Sequence, residues 1–421
     1  MLGLSGRQDL RGFTAYLLLL CLFISFPAPS HQASRLGKRD FKHLSQGEMA
    51  SLVASPDPIR NIDPHSPNSH LSKILIPRAP DTANNTLVRE YIISTLKKLN
   101  WDIEEDAFNA TTPYGVKRFT NVIATKDPKA PRRVILSAHF DSKYFSSYPQ
   151  NQFVGATDSA APCAFMLDLA EALNPLLDKR MARLADEDDD MDGEDEDLVD
   201  TTLQLVFFDG EEAFKDWTAT DSIYGARNLA QKWSSTYIAP NSKRRLIALG
   251  WDTELSTIEH LILLDLLGAP HPLVRSSFMS TAWLYDEMVG AEKRLGDSGA
   301  YAYGDDDGRK WSSYFLPRGN ADHNFGGVED DHIPFLKMGV DILHVIANPF
   351  PRVWHTLKDD ASALDIATMR RWNLILRVFM CEYLGLKPEG SEKSRSNVHR
   401  AEYELVSDIL YALTPISQPL G

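Results

Sequence analysis

The sequence predicts an α/β protein, a single three-layer α/β/α domain on a mostly parallel central sheet, and three observations carry that reading. Apolar runs of strand length at residues 133–138, 203–208, 260–267 and 341–346 alternate with longer stretches of helical periodicity. That order is the order of β-α-β units, whose crossovers make neighbouring strands parallel. The runs are continuous rather than alternating in polarity, as strands covered on both faces require. Finally, 421 residues with 43% hydrophobic and 24% charged content, and no internal repeat, suffice for one large core.

The chain opens with Arg7 and Arg11, an apolar stretch at 13–26 and then Pro27-Ala28-Pro29-Ser30. Residues 1–30 therefore read as a signal peptide. An uncleaved anchor is the alternative, although the stretch falls short of the roughly 20 residues of a bilayer span. Sequons at Asn84 and Asn109 suit a secretory route, so secretion is expected, with retention in the Golgi as the other outcome. Removal of the signal takes Cys21 with it, and Cys163 and Cys381 are expected as buried free thiols, with one disulfide between them left open.

Residues 31–70 are rich in Ser, His, Pro and Asn and read as an irregular segment before a domain at 71–387. Residues 87–99 place Val88, Tyr91, Ile92 and Leu96 on one stripe, which predicts a helix. Strands are expected at 119–125 and 133–138, the second leading into His139-Phe140-Asp141-Ser142. Gly155-Ala156-Thr157-Asp158-Ser159 precedes an apolar helix that should stop at Asn174-Pro175, because the residue before a proline avoids helical backbone. Asp158 by itself reads equally as a simple helix cap. Residues 186–200 hold 11 acids and no base, and they account for all but about three of the net charge of −14. A disordered acidic insert is expected over about 180–201, and no basic patch points to nucleic acid.

The strand at 203–208 stops at Asp209-Gly210 and presents Glu211 and Glu212. An isolated Glu-Glu is usually a solvated turn. At the end of a buried strand, however, two adjacent carboxylates repel, which invites a cation for one and a raised pKa for the other. A helix at 222–232 follows, then a strand at 260–267 in which Asp265 sits among leucines, costly unless it is hydrogen-bonded. After a helix at 280–295 comes Asp330-Asp331-His332-Ile333-Pro334-Phe335, then the strand at 341–346 with His344. That strand runs into Asn348-Pro349-Phe350-Pro351-Arg352-Val353-Trp354-His355. A long helix at 363–384 closes the domain, and residues 388–421 form an extension with a short helix at 403–413.

Asp158, Glu211-Glu212, Asp265 and the loop bearing His355 all fall at or just beyond the ends of these predicted elements. Parallel strands share a carboxyl edge, so the scattered residues should converge there. One histidine and two carboxylates with a position left open make a catalytic zinc site, whereas a closed structural site would use cysteines. Spacing alone does not settle the cluster, whose members lie about 200 residues apart.

The blocks themselves are more specific. His139-Phe140-Asp141-Ser142-Lys143-Tyr144-Phe145, residues 153–163, Phe207-Phe208-Asp209-Gly210-Glu211-Glu212-Ala213-Phe214 with Trp217, Leu263-Leu264-Asp265-Leu266, residues 330–335 and residues 350–355 stand in order. Over about three quarters of the chain the sequence resembles the glutaminyl-peptide cyclotransferases (glutaminyl cyclases) of the animal and fungal type, which share the fold of M28 zinc aminopeptidases. The resemblance implies one zinc per chain held by Asp158, Glu212 and His355, with Glu211 as general acid/base. It makes Asp265 and Asp330 hydrogen-bonded partners beside the reacting amide. Trp217, Phe350 and Trp354 would line the substrate pocket, and His344 would join the active site, although each aromatic also suits a core position.

It further implies peptides with N-terminal glutamine as substrates, glutamate being a second candidate, and a monomer. In the implied reaction the substrate's own α-amine attacks its side-chain carbonyl and expels ammonia. Zinc would serve as a Lewis acid there, and Glu211 would carry the proton. Two alternatives stand beside this reading: a di-zinc M28 aminopeptidase, for which His139 and Asp265 are available as further ligands, and a catalytically silent binding module of the same fold. Family members often pair a cysteine before the His-x-Asp block with the one matching Cys163. Ala138 stands in that place here, so the resemblance implies that this disulfide is lost.

Overall fold

The computed structural model describes residues 41–54, 56–185, 201–238, 253–304, 306, 308, 310–318 and 327–389. The expected signal segment, the acidic run at 186–200 and the helix at 403–413 lie outside them. Strands β1 (Asp102–Thr112), β2 (Gly115–Thr125), β3 (Arg132–His139), β4 (Thr201–Phe208), β5 (Ile258–Asp265) and β6 (Asp341–Ile346) form one sheet in the order β1-β2-β4-β3-β5-β6. The four strands β4, β3, β5 and β6 are parallel, and the β1–β2 hairpin adds an antiparallel edge.

The parallel strands are covered on both faces, as their apolar runs require. On β4, Leu203, Leu205 and Phe207 enter a cluster with Phe165 and Leu169 of helix α5 (Ala161–Ala185) and Trp372 and Phe379 of α9 (Ile366–Tyr383). Val206 and Phe208 point the other way, towards Leu229 and Trp233 of α6 (Tyr224–Ser235) and Phe335 of α8 (His332–Lys337). Helix α4 (Ala83–Lys98) and α7 (Ala282–Asp297) add to the first layer. Each Leu or Phe so enclosed contributes about 1.5–3 kcal/mol, which gives a three-layer α/β/α core.

Three expectations need correction. Residues 41–70, expected to be irregular, carry helices α1 (Gln46–Ala54) and α2 (Ile59–Ile62) and the start of α3 (His70–Ile74). Their sparse apolar residues, Met49, Leu52, Ile62, Leu71 and Ile74, are all buried in the main cluster; polar composition concealed the anchors. Helix α5 does not stop at Asn174-Pro175 but runs through Pro175 to Ala185. Tertiary bonds outweigh the proline cost of about 3 kcal/mol: Asn174 Oδ1 accepts from Trp101 Nε1 at 3.1 Å and Lys126 Nζ at 2.7 Å, and Arg180 Nη1 donates to Leu384 O at 2.9 Å. The insert thus begins later than residue 180. Finally, β1 was not foreseen, because Asp102–Thr112 is largely exposed and acidic; its ladder with β2 holds it, from Asp102↔Thr125 to Thr112↔Gly115.

Cys163 and Cys381 are buried free thiols. Among the described residues no helix is long and apolar enough to cross a membrane.

Candidate active site

The sheet order reverses direction at β3, with β4 on one side and β5 on the other. Ligand crevices in open α/β sheets form at the carboxyl edge at such a point. His139 ends β3, Asp265 ends β5 and His344 lies in β6, while Glu211 and Glu212 follow β4. The site is built there.

The Glu pair is aimed by a turn that only glycine permits. Gly210 has φ +77°, and a Cβ on it would lie 2.4 Å from the Phe119 ring. Asp141 then accepts the N–H of Glu211 at 3.2 Å and of Glu212 at 3.4 Å. Glu212 Oε1 lies 3.1 Å from His355 Nε2, and Glu212 Oε2 accepts from Lys143 Nζ at 3.2 Å. Asp158 divides its oxygens: Oδ1 is 3.0 Å from His139 Nε2, and Oδ2 faces His355 Nε2 at 3.4 Å. One ligand atom from each of Asp158, Glu212 and His355 fits within a 4.8 Å sphere of mutual distances.

These residues fit a zinc ion. Asp158 Oδ2 is buried and accepts no hydrogen bond among the described residues, a lone pair left for a cation. Burial alone would lower the His355 pKa, yet Asp158 and Glu212 raise it to about 9. For Asp158, burial is overcome by His139 and His355, which hold it below the usual carboxylate range. His355 thus pairs with the two carboxylates that would share a cation with it.

Glu211 is different. Burial pushes its pKa well up, His139 opposes this, and the charges of Asp330 and Glu212 add to it. Around it lies a network of buried acids. Asp265 accepts a hydrogen bond from Ser159 Oγ, and burial with the charge of Asp330 raises its pKa to about 6. Asp330 lies 2.8 Å from His344 Nε2; burial would raise its pKa, but the His344 contact lowers it. The His332 and His344 rings stand 4.4 Å apart.

The aromatic residues frame this edge. Trp354 is 41% exposed and stacks on His355 at 3.8 Å, with Phe350 edge-on at 5.0 Å. Trp217, 39% exposed, donates its indole N–H to Glu329 Oε2 at 3.0 Å. The sequon residues differ: Asn109 is exposed on β1, while Asn84 is half-buried with its amide donating to Pro77 O at 2.8 Å.

Sequence reasoning gave no role to Asp141, Lys143, Ser159 or Asp331. All four lie inside the quoted blocks, and their adjacency to His139, Tyr144, Asp158 and Asp330 was the available signal. Asp331 is fully buried, with both carboxylate oxygens unpartnered among the described residues and a pKa pushed well up by burial and by Asp330.

A sequence model of peptidase family M28 matches residues 121–380. The glutaminyl-peptide cyclotransferase of Bos taurus is 41% identical over 85% of this chain and 88% of its own length. That of Drosophila melanogaster is 41% identical over 75% of this chain and 79% of its own length. Among solved structures, the glutaminyl cyclase of Macrostomum lignano matches with a TM-score of 0.68 and 33% identity, over 84% of this chain and 97% of that one. A zinc-dependent exopeptidase of Parabacteroides distasonis matches with a TM-score of 0.52 at 20% identity, over 82% and 99% of the two chains, and shares the fold.

Proposed function

This chain belongs to peptidase family M28 and, within it, to the glutaminyl-peptide cyclotransferases, and from that premise we propose how its residues share the reaction. It is an acyltransferase that closes an N-terminal glutamine of a peptide into pyroglutamate with release of ammonia. Asp158, Glu212 and His355 hold a single zinc ion. The observation that carries the reading is the pairing of that three-residue cluster with a buried, separate carboxylate, Glu211, on the same turn.

A zinc ion held by Asp158, Glu212 and His355 would supply Lewis acidity to the substrate's side-chain carbonyl. The α-amine attacks as the neutral form, and its free pKa of about 7.7–8.0 makes a nearby base useful. Glu211 takes the proton that the amine sheds as the C–N bond forms. It then returns that proton to the departing side-chain nitrogen, so that ammonia leaves and the carboxylate is restored. Asp265 and Asp330, fixed by Ser159 and His344, accept hydrogen bonds from the amine and amide. Trp217, Phe350 and Trp354 wall the pocket against water and hold the folded chain end in reach of itself.

The di-zinc peptidase reading has one observation in its favour: His139, Asp158 and Asp265 also bring ligand atoms together. His139 bonds to Asp158 Oδ1 and Ser159 to Asp265 there, and the zinc content per chain, expected to be about one, separates the two readings. Mass spectrometry of a Gln-initiated peptide after incubation tests the function. Loss of about 17 Da as ammonia is expected; release of the first amino acid instead would establish a peptidase.

A further inference from the structure

We propose that Arg78 and Asp359 act as a two-sided clamp that presets the backbone carrying Asp158, so that the metal centre is shaped before any ion binds. The proposal rests on the assignment of Asp158, Glu212 and His355 as ligands.

Residues 153–155 have no regular structure, and Asp158 sits in a single distorted helical turn, Ala156–Ala160, at the head of α5. Gly155 takes φ +54°, and a Cβ on it would stand 2.1 Å from Asp158 O. Asp158 and Ser159 have non-helical backbone, with φ near −123° and −122°. Backbone of this kind keeps its shape only where its polar groups find other partners. Four consecutive residues, Val154 to Thr157, find them on two residues from distant parts of the chain, through the Arg78 side chain and through the side chain and carbonyl of Asp359.

Arg78 supplies one jaw. It is fully buried, and Nη1 donates to Val154 O and Nη2 to Gly155 O, the latter at 3.3 Å. Its Nε donates to Phe140 O at 2.5 Å, just past the end of β3, which ties the segment to the sheet. Among the described residues this guanidinium donates hydrogen bonds only to carbonyl oxygens, including Ile76 O at 3.4 Å. A buried arginine that serves backbone rather than a carboxylate is shaping a loop, because its planar fork fixes several oxygens at once.

Asp359 supplies the other. It too is fully buried, its Oδ1 accepts from Thr157 N–H at 2.8 Å, and its carbonyl accepts from Ala156 N–H at 3.0 Å. Its own N–H returns to Thr356 O at 2.9 Å. The turn that carries His355, itself in left-handed backbone at φ +54°, is therefore bonded directly to the turn that carries Asp158. Asp359 couples two metal-ligand loops that lie about 200 residues apart in sequence. Groups that orient a ligand in this way typically change metal affinity by 10- to 100-fold when removed.

The experiment is zinc affinity by chelator competition on the purified full chain, with thermal unfolding of the metal-free form alongside. Asp359→Ala is expected to bind zinc about 10- to 100-fold more weakly, and Asp359→Asn, which keeps an oxygen for Thr157, to stay within about threefold. Arg78→Lys keeps the charge but loses the fork, and is expected to weaken zinc as well; it carries the test if Asp359→Ala does not fold. Wild-type zinc affinity in Asp359→Ala or Arg78→Lys, with only the metal-free unfolding temperature lowered, would show a merely structural role and overturn the clamp. Equal weakening in Asp359→Asn and Asp359→Ala would overturn it too, by making charge rather than the acceptor decisive. An unaltered chain that takes up no zinc would instead overturn the ligand assignment itself.

Discussion

Glu211 and Glu212 hang from one turn, and the N–H groups of both end on Asp141, but their carboxylates face different neighbours. Glu212 meets His355 and Lys143, two cations or cation sites, whereas Glu211 is buried among acids. The substitutions should therefore separate. Glu211→Gln is expected to retain zinc and lose turnover by about 10²- to 10⁴-fold, the usual worth of a positioned acid/base. Glu212→Gln is expected to lose metal affinity. Zinc content and kcat measured on both variants check this, and equal loss of zinc would reverse the division of roles. The pair was legible in the sequence because an acidic dipeptide after a buried strand is conspicuous. Asp141 was not, since its function is to receive two backbone N–H groups that sit about 70 residues away.

At the scale of elements, α5 is the member that most of the fold leans on. Arg377 of α9 makes a two-pronged contact to Asp168 at 2.7 and 3.0 Å, and both are almost wholly buried. Asp168→Ala should cost about 3–5 kcal/mol in urea unfolding, because it strands a buried guanidinium; a loss under about 1 kcal/mol would mean water reaches the pair. Glu171, one turn on, gathers the short helices that composition had hidden: Arg60 and Asn61 of α2 at 2.6 and 3.0 Å, and His70 of α3 at 3.2 Å. Burial would raise its pKa, but His70, Asn61 and Arg60 pull it down to about 2 from 4.5. A carboxyl group held low in the folded state binds fewer protons folded than unfolded. Its contribution is present above about 4.5 and is lost as pH falls towards about 2. Unfolding free energy measured from pH 6 downwards should fall more gently in Glu171→Gln than in the unaltered chain, and parallel curves would refute the link. The same helix shows where periodicity misleads: Pro175 reads as a stop until Trp101, Lys126 and Leu384 are brought against it.

At the scale of the molecule, the metal should behave as part of the fold. A ligand that binds only the native state stabilises it by about 2.7 kcal/mol at 100 times its Kd. Stripping zinc with a chelator is thus expected to abolish cyclisation and lower the unfolding temperature, with both restored by about one equivalent of zinc per chain. Restoration that needs two would favour the di-metal reading. The sequence by itself determined the α/β class and the strands β3 to β6, and it set Asp158, Glu211, Glu212, Asp265 and His355 at or beyond the ends of its elements. Continuous apolar runs and cap or turn residues at their ends are local signals, encoded within a few neighbours. Only the tertiary structure decided which oxygen of Asp158 faces His355, how His139 and Lys143 partition the carboxylates, and that Arg78 and Asp359 bond the turn carrying Asp158. These depend on contacts between residues separated by tens to hundreds of positions. Burial and charge at such contacts are properties of the assembled edge, and no local stretch of sequence carries them.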